Sequence, residues 1–89
     1  MQKKRRKLNK DFEKKIYSSK KNVELVLAKI YDIDDEDIQK EYMSSFKRVV
    51  HLYDELKEDY EQKGFNDNSE KLFTNYKDSF KLFESEFEI

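Results

Sequence analysis

The sequence predicts an all-α protein, an elongated three-helix bundle whose last two helices form a long antiparallel hairpin. Apolar residues recur every three or four positions in three separate segments, which is the spacing of one helix face. The 89 residues include no proline and only one glycine, whereas a β-rich domain needs both residue types for its tight turns. We therefore expect helices over about residues 8–31, 35–63 and 68–88.

The first segment carries an apolar stripe with lysines on the other face. The stripe skips a turn at Ser18 and Ser19, and Asn22 is a residue type that caps a new helix. One helix kinked near residues 18–22 and two shorter helices are therefore both open. The stripe consists of Leu8, Phe12, Ile16, Val23, Val26, Leu27 and Ile30.

The second segment has an almost continuous coiled-coil-like seam. The acidic stretch 32–37 precedes it, and its carboxylates can accept the unpaired N–H groups of the first helical turn. At the far end Gly64 fits a left-handed C′ position, so we expect a Schellman ending in which Phe65 contacts Tyr60. The seam consists of Ile38, Tyr42, Phe46, Val49, Tyr53, Leu56 and Tyr60.

The third segment begins where Asp67 and Glu70 have the spacing of a capping box. The link between the second and third helices is short, so these helices must be antiparallel. We expect the first helix to cover the groove that they share. The third stripe consists of Phe73, Tyr76, Phe80, Phe83 and Phe87.

Charge is distributed unevenly along the chain. Residues 1–31 carry eleven Lys or Arg against three acidic residues, a net +8, whereas residues 32–89 carry eight against seventeen, a net −9. Such asymmetry is typical of a basic arm for a polyanion or of complementary faces for self-association. We expect a basic N-terminal arm over residues 1–7 and a single helical domain over 8–89.

The composition argues against catalysis. There is no cysteine, no glycine-rich loop that could hold a phosphate, and only one histidine, His51, in mid-helix. The acidic stretch lacks the glycine and the bidentate glutamate of a calcium loop. We expect no enzyme activity, cofactor, metal or small-molecule substrate. No apolar run is long enough for a membrane span or a signal peptide, so we expect a cytoplasmic protein, in the host cytoplasm if it is viral.

The basic N-terminal part is the candidate nucleic-acid surface. Its lysines can form a positive ridge along one side of a helix, and each phosphate contact with duplex DNA would release a counterion. The alternatives are docking on an acidic protein surface, a solvated tail, a nuclear-localisation-type run and an anionic membrane contact. The candidate residues are Lys3, Lys4, Arg5, Arg6, Lys7, Lys10, Lys14, Lys15, Lys20 and Lys21.

Thirteen aromatic residues are many for a thin bundle of this length. Most lie on the three stripes and should form the core. Tyr17, Tyr31, Phe65 and Phe87 are the ones that we expect to stay partly exposed, either at the edge of the core or at a protein interface.

Three short motifs resemble the small terminase subunits of one group of tailed bacteriophages. They are Tyr31-Asp32-Ile33-Asp34, Tyr53-Asp54-Glu55-Leu56 and Gln62-Lys63-Gly64-Phe65, within a resemblance that covers about residues 25–89. It implies a helical protein that forms an oligomer, binds viral DNA and engages the large terminase subunit without catalysing a reaction. The alternative is a bacteriocin immunity protein of Gram-positive bacteria, or another small helical inhibitor or adaptor that docks on a protein partner.

Overall fold

The computed structural model describes residues 7–87, which form three helices in an up-down-up arrangement. Helix α1 spans Lys10–Tyr31, α2 spans Glu36–Lys63 and α3 spans Ser69–Glu86. The molecule measures 56 × 22 × 18 Å. The predicted all-α class, the elongated shape and the antiparallel hairpin of the last two helices are confirmed.

Helix α1 is continuous, which excludes the alternative of two shorter helices. Ser19 takes the stripe position that the apolar pattern skips: it is buried, and its hydroxyl donates to the carbonyl of Lys15 at 2.7 Å. A serine bonded to its own helix satisfies its polar group and so can be buried at little cost. The helix begins later than predicted, because the Asn9 side chain caps it by accepting the Phe12 N–H at 3.0 Å. Leu8 lies before the helix and is exposed, so its assignment to the stripe was wrong.

Helix α2 begins as predicted from the acidic stretch. The Asp35 carboxylate accepts the N–H groups of Asp37 and Ile38 at 2.9 and 3.1 Å. The seam is buried along its central part at Phe46, Val49, Tyr53 and Leu56. Ile38, at the predicted start of the seam, is exposed.

The Schellman ending predicted for α2 was wrong in its hydrogen bonding. Gly64 does have a positive φ of 73°, but its ψ is −164°, which directs the chain away from the left-handed helical turn. The Phe65 N–H therefore donates to the carbonyl of Lys7 at 2.6 Å and not to a carbonyl of α2. Lys7 and Gly64 form an isolated parallel bridge. This bridge ties the segment before α1 to the end of α2.

The start of α3 depends on Asn66 and Ser69, not on the predicted Asp67–Glu70 pair. The buried Ser69 hydroxyl accepts the Asn66 N–H at 2.9 Å, and the Asn66 side chain accepts the Asn68 N–H at 2.8 Å. The Asn66 amide also donates to Asp59 and to the carbonyl of Gly64. The link is thus fixed to the last turn of α2. The helix ends at Glu86, and residues 88–89 lie outside the described part.

Helix α2 is the central element, and α1 and α3 pack on its two sides. The α2–α3 contact is mainly aromatic: the ring centroid of Phe46 lies 4.8 Å from that of Phe83 and 5.9 Å from that of Phe80. Val23, Val26 and Ile30 make the buried part of the α1 face mainly aliphatic. Together these residues form one buried core.

Helix α1 covers the α2–α3 groove only in part, contrary to prediction. Over residues 7–87, no Cα atom of α1 lies within 8 Å of one in α3. Contact is made by side chains alone, as where the rings of Phe12 and Phe73 lie 6.1 Å apart. The narrow apolar stripe of α1 packs on α2, so a long groove stays open between α1 and α3.

None of the three described helices has the length and apolar character needed to cross a bilayer.

Candidate functional site

The sequence-predicted basic residues that the structure describes are all at the surface. Lys7, Lys10, Lys14, Lys15, Lys20 and Lys21 are exposed, and no ion pair within residues 7–87 involves them. Lys3, Lys4, Arg5 and Arg6 lie outside the described residues. The predicted ridge is helical only from Lys10 onward, because residues 7–9 precede α1.

Three of these lysines share one stripe with an exposed tyrosine, which we call the lysine crest. Lys10, Lys14, Tyr17 and Lys21 follow gaps of four, three and four, and lie about half a helical turn from the buried stripe. The Lys21 ammonium is 5.1 Å from the Tyr17 ring centroid. A shallow depression of the surface includes Lys10, Lys14 and Tyr17. The crest thus faces directly away from the core and combines positive charge with one aromatic ring.

The crest is anchored at its start by a hydroxyl from α2. The Tyr60 hydroxyl accepts the Asn9 N–H at 2.9 Å and donates to the Glu13 carboxylate. Phe12 is buried beneath, with its ring centroid 5.8 Å from that of Tyr60 and 5.2 Å from that of Phe65. Glu13, which also lines the depression, is thus hydrogen-bonded to a tyrosine, and no ion pair within residues 7–87 joins it to a crest lysine.

The second surface is the open space between α1 and α3, which we call the α1/α3 groove. It has a volume of about 790 Å³. From Lys15 to Lys29 its α1 wall runs for about 21 Å at 1.5 Å per residue. Apolar side chains that line it include Leu25, Val26, Phe73, Tyr76, Phe80, Phe83 and Phe87.

The charged residues that line the groove are almost all basic. Helix α1 contributes Lys14, Lys15 and Lys29, and α3 contributes Lys77 and Lys81; among residues 7–87, Glu84 is the one acidic residue in the lining. Lys15 and Lys77, from opposite walls, lie over the same Phe73 ring at 5.3 and 6.0 Å from its centroid. Two like charges are thereby held close to one aromatic side chain.

Buried hydroxyls connect the walls below the groove. The Tyr76 hydroxyl donates to the carbonyl of Ser19 at 3.3 Å, which links α3 to α1. Burial raises the pKa of Tyr76, and the side-chain hydroxyl of Ser19 acts in the opposite direction. Burial, together with the charge of Asp54, raises the pKa of Tyr53, whose ring lies 6.1 Å from that of Tyr76. Both hydroxyls are therefore neutral at physiological pH.

The four aromatic residues predicted for a protein interface do not form one cluster. Tyr17 lies on the crest, and Tyr31 is exposed in the last turn of α1. Phe65 is half-buried against Phe12. Phe87 is half-buried against Tyr42, with ring centroids 4.7 Å apart, and it also lines the end of the groove. Only Phe87 therefore borders the main concave surface.

Sequence reasoning missed the residues that α3 contributes to the groove. Lys77 and Lys81 lie in the part of the chain with a net negative charge, and Phe73 and Phe80 were assigned to the core only. The available signal was local: the two lysines are four residues apart and flank the aromatic stripe. Which helix lies opposite them is a tertiary property.

Within residues 7–87, no group of three or more His, Asp or Glu side chains is placed to hold a metal ion. His51 is exposed, and its Nε2 lies 3.2 Å from the Glu55 carboxylate one turn along α2. It lines neither the crest nor the groove.

No family model, curated protein or solved structure matches this chain. The resemblance to small terminase subunits therefore remains a prediction from the sequence motifs.

Proposed function

We propose that the chain is a non-catalytic binding protein that holds the phosphate backbone of DNA on the lysine crest. The observation that carries this proposal is the alignment of Lys10, Lys14 and Lys21, which are exposed and engage no acidic partner within residues 7–87. Such ammonium groups bind phosphates by displacing condensed counterions. Tyr17 among them adds a ring on which an unstacked base can lie.

The basic run at residues 3–7 extends this surface along the sequence. Lys3, Lys4, Arg5, Arg6 and Lys7, together with the three lysines of the crest, supply eight phosphate contacts, for which the logarithm of affinity falls with that of salt at a slope of about −7. Contacts of this kind position a protein on DNA without reading its sequence. Assembly of several copies on viral DNA during packaging, which the terminase-like motifs imply, is the role that we propose for this activity.

Duplex DNA binding measured between 50 and 300 mM salt tests the proposal. In the variant Lys10→Ser/Lys14→Ser/Lys21→Ser we expect the salt slope to become less steep by about 3, since each lost phosphate contact reduces its magnitude by about one. Lys40→Ser/Lys57→Ser/Lys71→Ser is the matched control, because it removes the same charge from exposed positions off the crest. An equal loss in both variants would show a net-charge effect and contradict a crest-specific site.

A second candidate function is docking on a protein partner, as an adaptor or inhibitor does. The observation that favours it is the apolar lining of the α1/α3 groove, which a phosphate backbone does not require.

A further inference from the structure

We infer that the α1/α3 groove binds an amphipathic helix with acidic flanks, supplied by another protein. This inference rests on the second candidate function, docking on a protein partner, and does not depend on DNA binding. It identifies the chemical class of the partner from three properties of the groove: its position in the bundle, its lining and its charge.

The position of the groove fits a helix. Helices that pack on each other lie about 8–10 Å apart, and α2 has a neighbour of this kind on each side. Helices α1 and α3 both run antiparallel to α2 and do not approach each other, which is also the placement of diagonal helices in a four-helix bundle. The groove is the fourth corner of that bundle. Its length of about 21 Å matches about four turns of a guest helix.

The lining supplies an apolar strip for such a guest. Phe73 and Phe80 on α3 and Phe87 at its C-cap recur every seven residues, and all three are only half-buried. On the opposite wall Leu25 is 58 % exposed although it lies beside the buried Val26. A helix that places leucine-type side chains every three or four residues against this strip would bury them from water.

The positive charge of the groove walls favours a guest helix with acidic flanks. In the part of the chain that the structure describes, lysines border the strip on both sides, three on α1 and two on α3, and Glu84 is the one opposing charge. Lys15 and Lys77 both lie over Phe73, so their like charges repel, and a carboxylate bound near both would replace that repulsion with two attractions. Carboxylates at the edges of the guest helix would meet these ammonium groups while its apolar stripe faces the rings.

The same charge pattern argues against occupants from this chain. Two copies joined groove to groove would bring ten lysines together, and like charges facing each other oppose such a contact. The segment 1–6 carries four basic residues and no acidic one, so it has the same sign as the walls. The largest group of acidic residues in this chain lies on α2, whose apolar seam is buried, so the occupant that combines acidic flanks with a free apolar stripe is a segment of a different protein.

Three synthetic peptides of about 18 residues, measured by fluorescence anisotropy with the full chain, test the inference. All carry one leucine stripe at helical spacing, and the flanking positions are glutamate, glutamine or lysine. We expect the glutamate peptide to bind at least tenfold more tightly than the glutamine peptide, and the lysine peptide not to bind. Tighter binding of the glutamine or lysine peptide would overturn the inference that the partner has acidic flanks, but it would still support docking of a protein in the groove. If none of the three peptides binds, both ideas are overturned.

Variants on α3 locate the binding, because α3 contributes nothing to the lysine crest. The variant Lys77→Glu/Lys81→Glu should weaken binding of the glutamate peptide about tenfold or more and should strengthen binding of the lysine peptide. Lys71→Glu is the control, since Lys71 is exposed on the same helix outside the groove. Leu25→Ser, at an exposed position, should weaken all groove binding without unfolding the protein. Loss of binding in the control, or none in the double variant, would place the peptide elsewhere and overturn the inference. Displacement of the peptide by duplex DNA at 300 mM salt would also contradict a protein-specific groove.

Discussion

The two sides of α2 are packed by different chemistry. Towards α3 the contact consists of aromatic rings, with Phe46 between Phe80 and Phe83 and with Tyr53 against Tyr76. Towards α1 the buried side chains are mainly valines and Ile30. Aromatic side chains bury the larger area and add edge-to-face attraction. The α2–α3 hairpin should therefore be the stable part of the molecule, and α1 the part that opens more readily.

Replacing Phe46 by alanine tests the aromatic contact between α2 and α3, where we expect the largest effect. The side chain is fully buried, so we expect the free energy of unfolding to fall by about 3–5 kcal/mol through lost contacts and a new cavity. The matched change on α1, Val23→Ala, should cost about 2 kcal/mol, since only two methyl groups are lost. Urea unfolding followed by circular dichroism measures both. Equal losses would show that the two sides of α2 contribute alike.

Gly64→Ala tests the junction that α1 and the hairpin share. With φ of 73° and ψ of −164°, Gly64 has a backbone conformation that is unfavourable for residues with a Cβ atom, so we expect a loss of about 1–3 kcal/mol. The bridge to Lys7 should weaken as well. Gln62→Ala, at an exposed position in the last turn of α2, is the control and should stay within about 0.5 kcal/mol of the wild type. A harmless Gly64→Ala would mean that the chain can turn there in another way.

Asn9→Ala removes a cap from α1 alone. We expect a loss of about 1 kcal/mol, because the Phe12 N–H loses its acceptor. Hydrogen exchange followed by mass spectrometry should show faster exchange in the first turns of α1 and little change in α3. Asp35→Ala removes the equivalent cap from the central helix and should speed exchange in α2. The same exchange pattern from both variants would contradict the independent opening of α1.

The smallest effect that we expect is a change in stability at alkaline pH. Because burial raises the pKa of Tyr76 and Tyr53 in the folded protein, both bind their protons more tightly there than in the unfolded chain. Their contribution to stability is present in full below about pH 10 and is lost as the pH rises through the raised pKa values. Tyr76→Phe should reduce this alkaline loss, measured as the urea midpoint between pH 9 and 11.5. Tyr17→Phe, at an exposed position, is the control; an equal change there would exclude burial as the cause.

The fold could be predicted from the sequence because each helix carries its own signals. The stripe that contains Phe46 and the cap at Asp35 act within one helix, so the bounds of α2 were predicted to within one residue. Ser19 was missed because apolar periodicity treats every polar residue as a break, whereas its hydroxyl is satisfied inside α1. The bond from Phe65 to Lys7 was missed because it joins residues that are distant in sequence.

The candidate site could be predicted only in part, for the same reason. Lys10, Lys14 and Lys21 lie on one stripe of α1, and helical spacing alone brings them together. Lys15 and Lys77 come together at the groove because of how α1 and α3 are placed on α2. No spacing rule within one helix contains that information.

The short links between the helices also have a kinetic consequence. Four residues, 32–35, join α1 to α2 and five, 64–68, join α2 to α3, so most packing partners are close along the chain. Chains whose native contacts are local lose little loop-closure entropy before they gain packing, and helical bundles fold in microseconds to milliseconds. The contact between Asn9 and Tyr60 spans 51 residues and should close last. We therefore expect rapid folding in which the segment before α1 docks after both hairpins have formed.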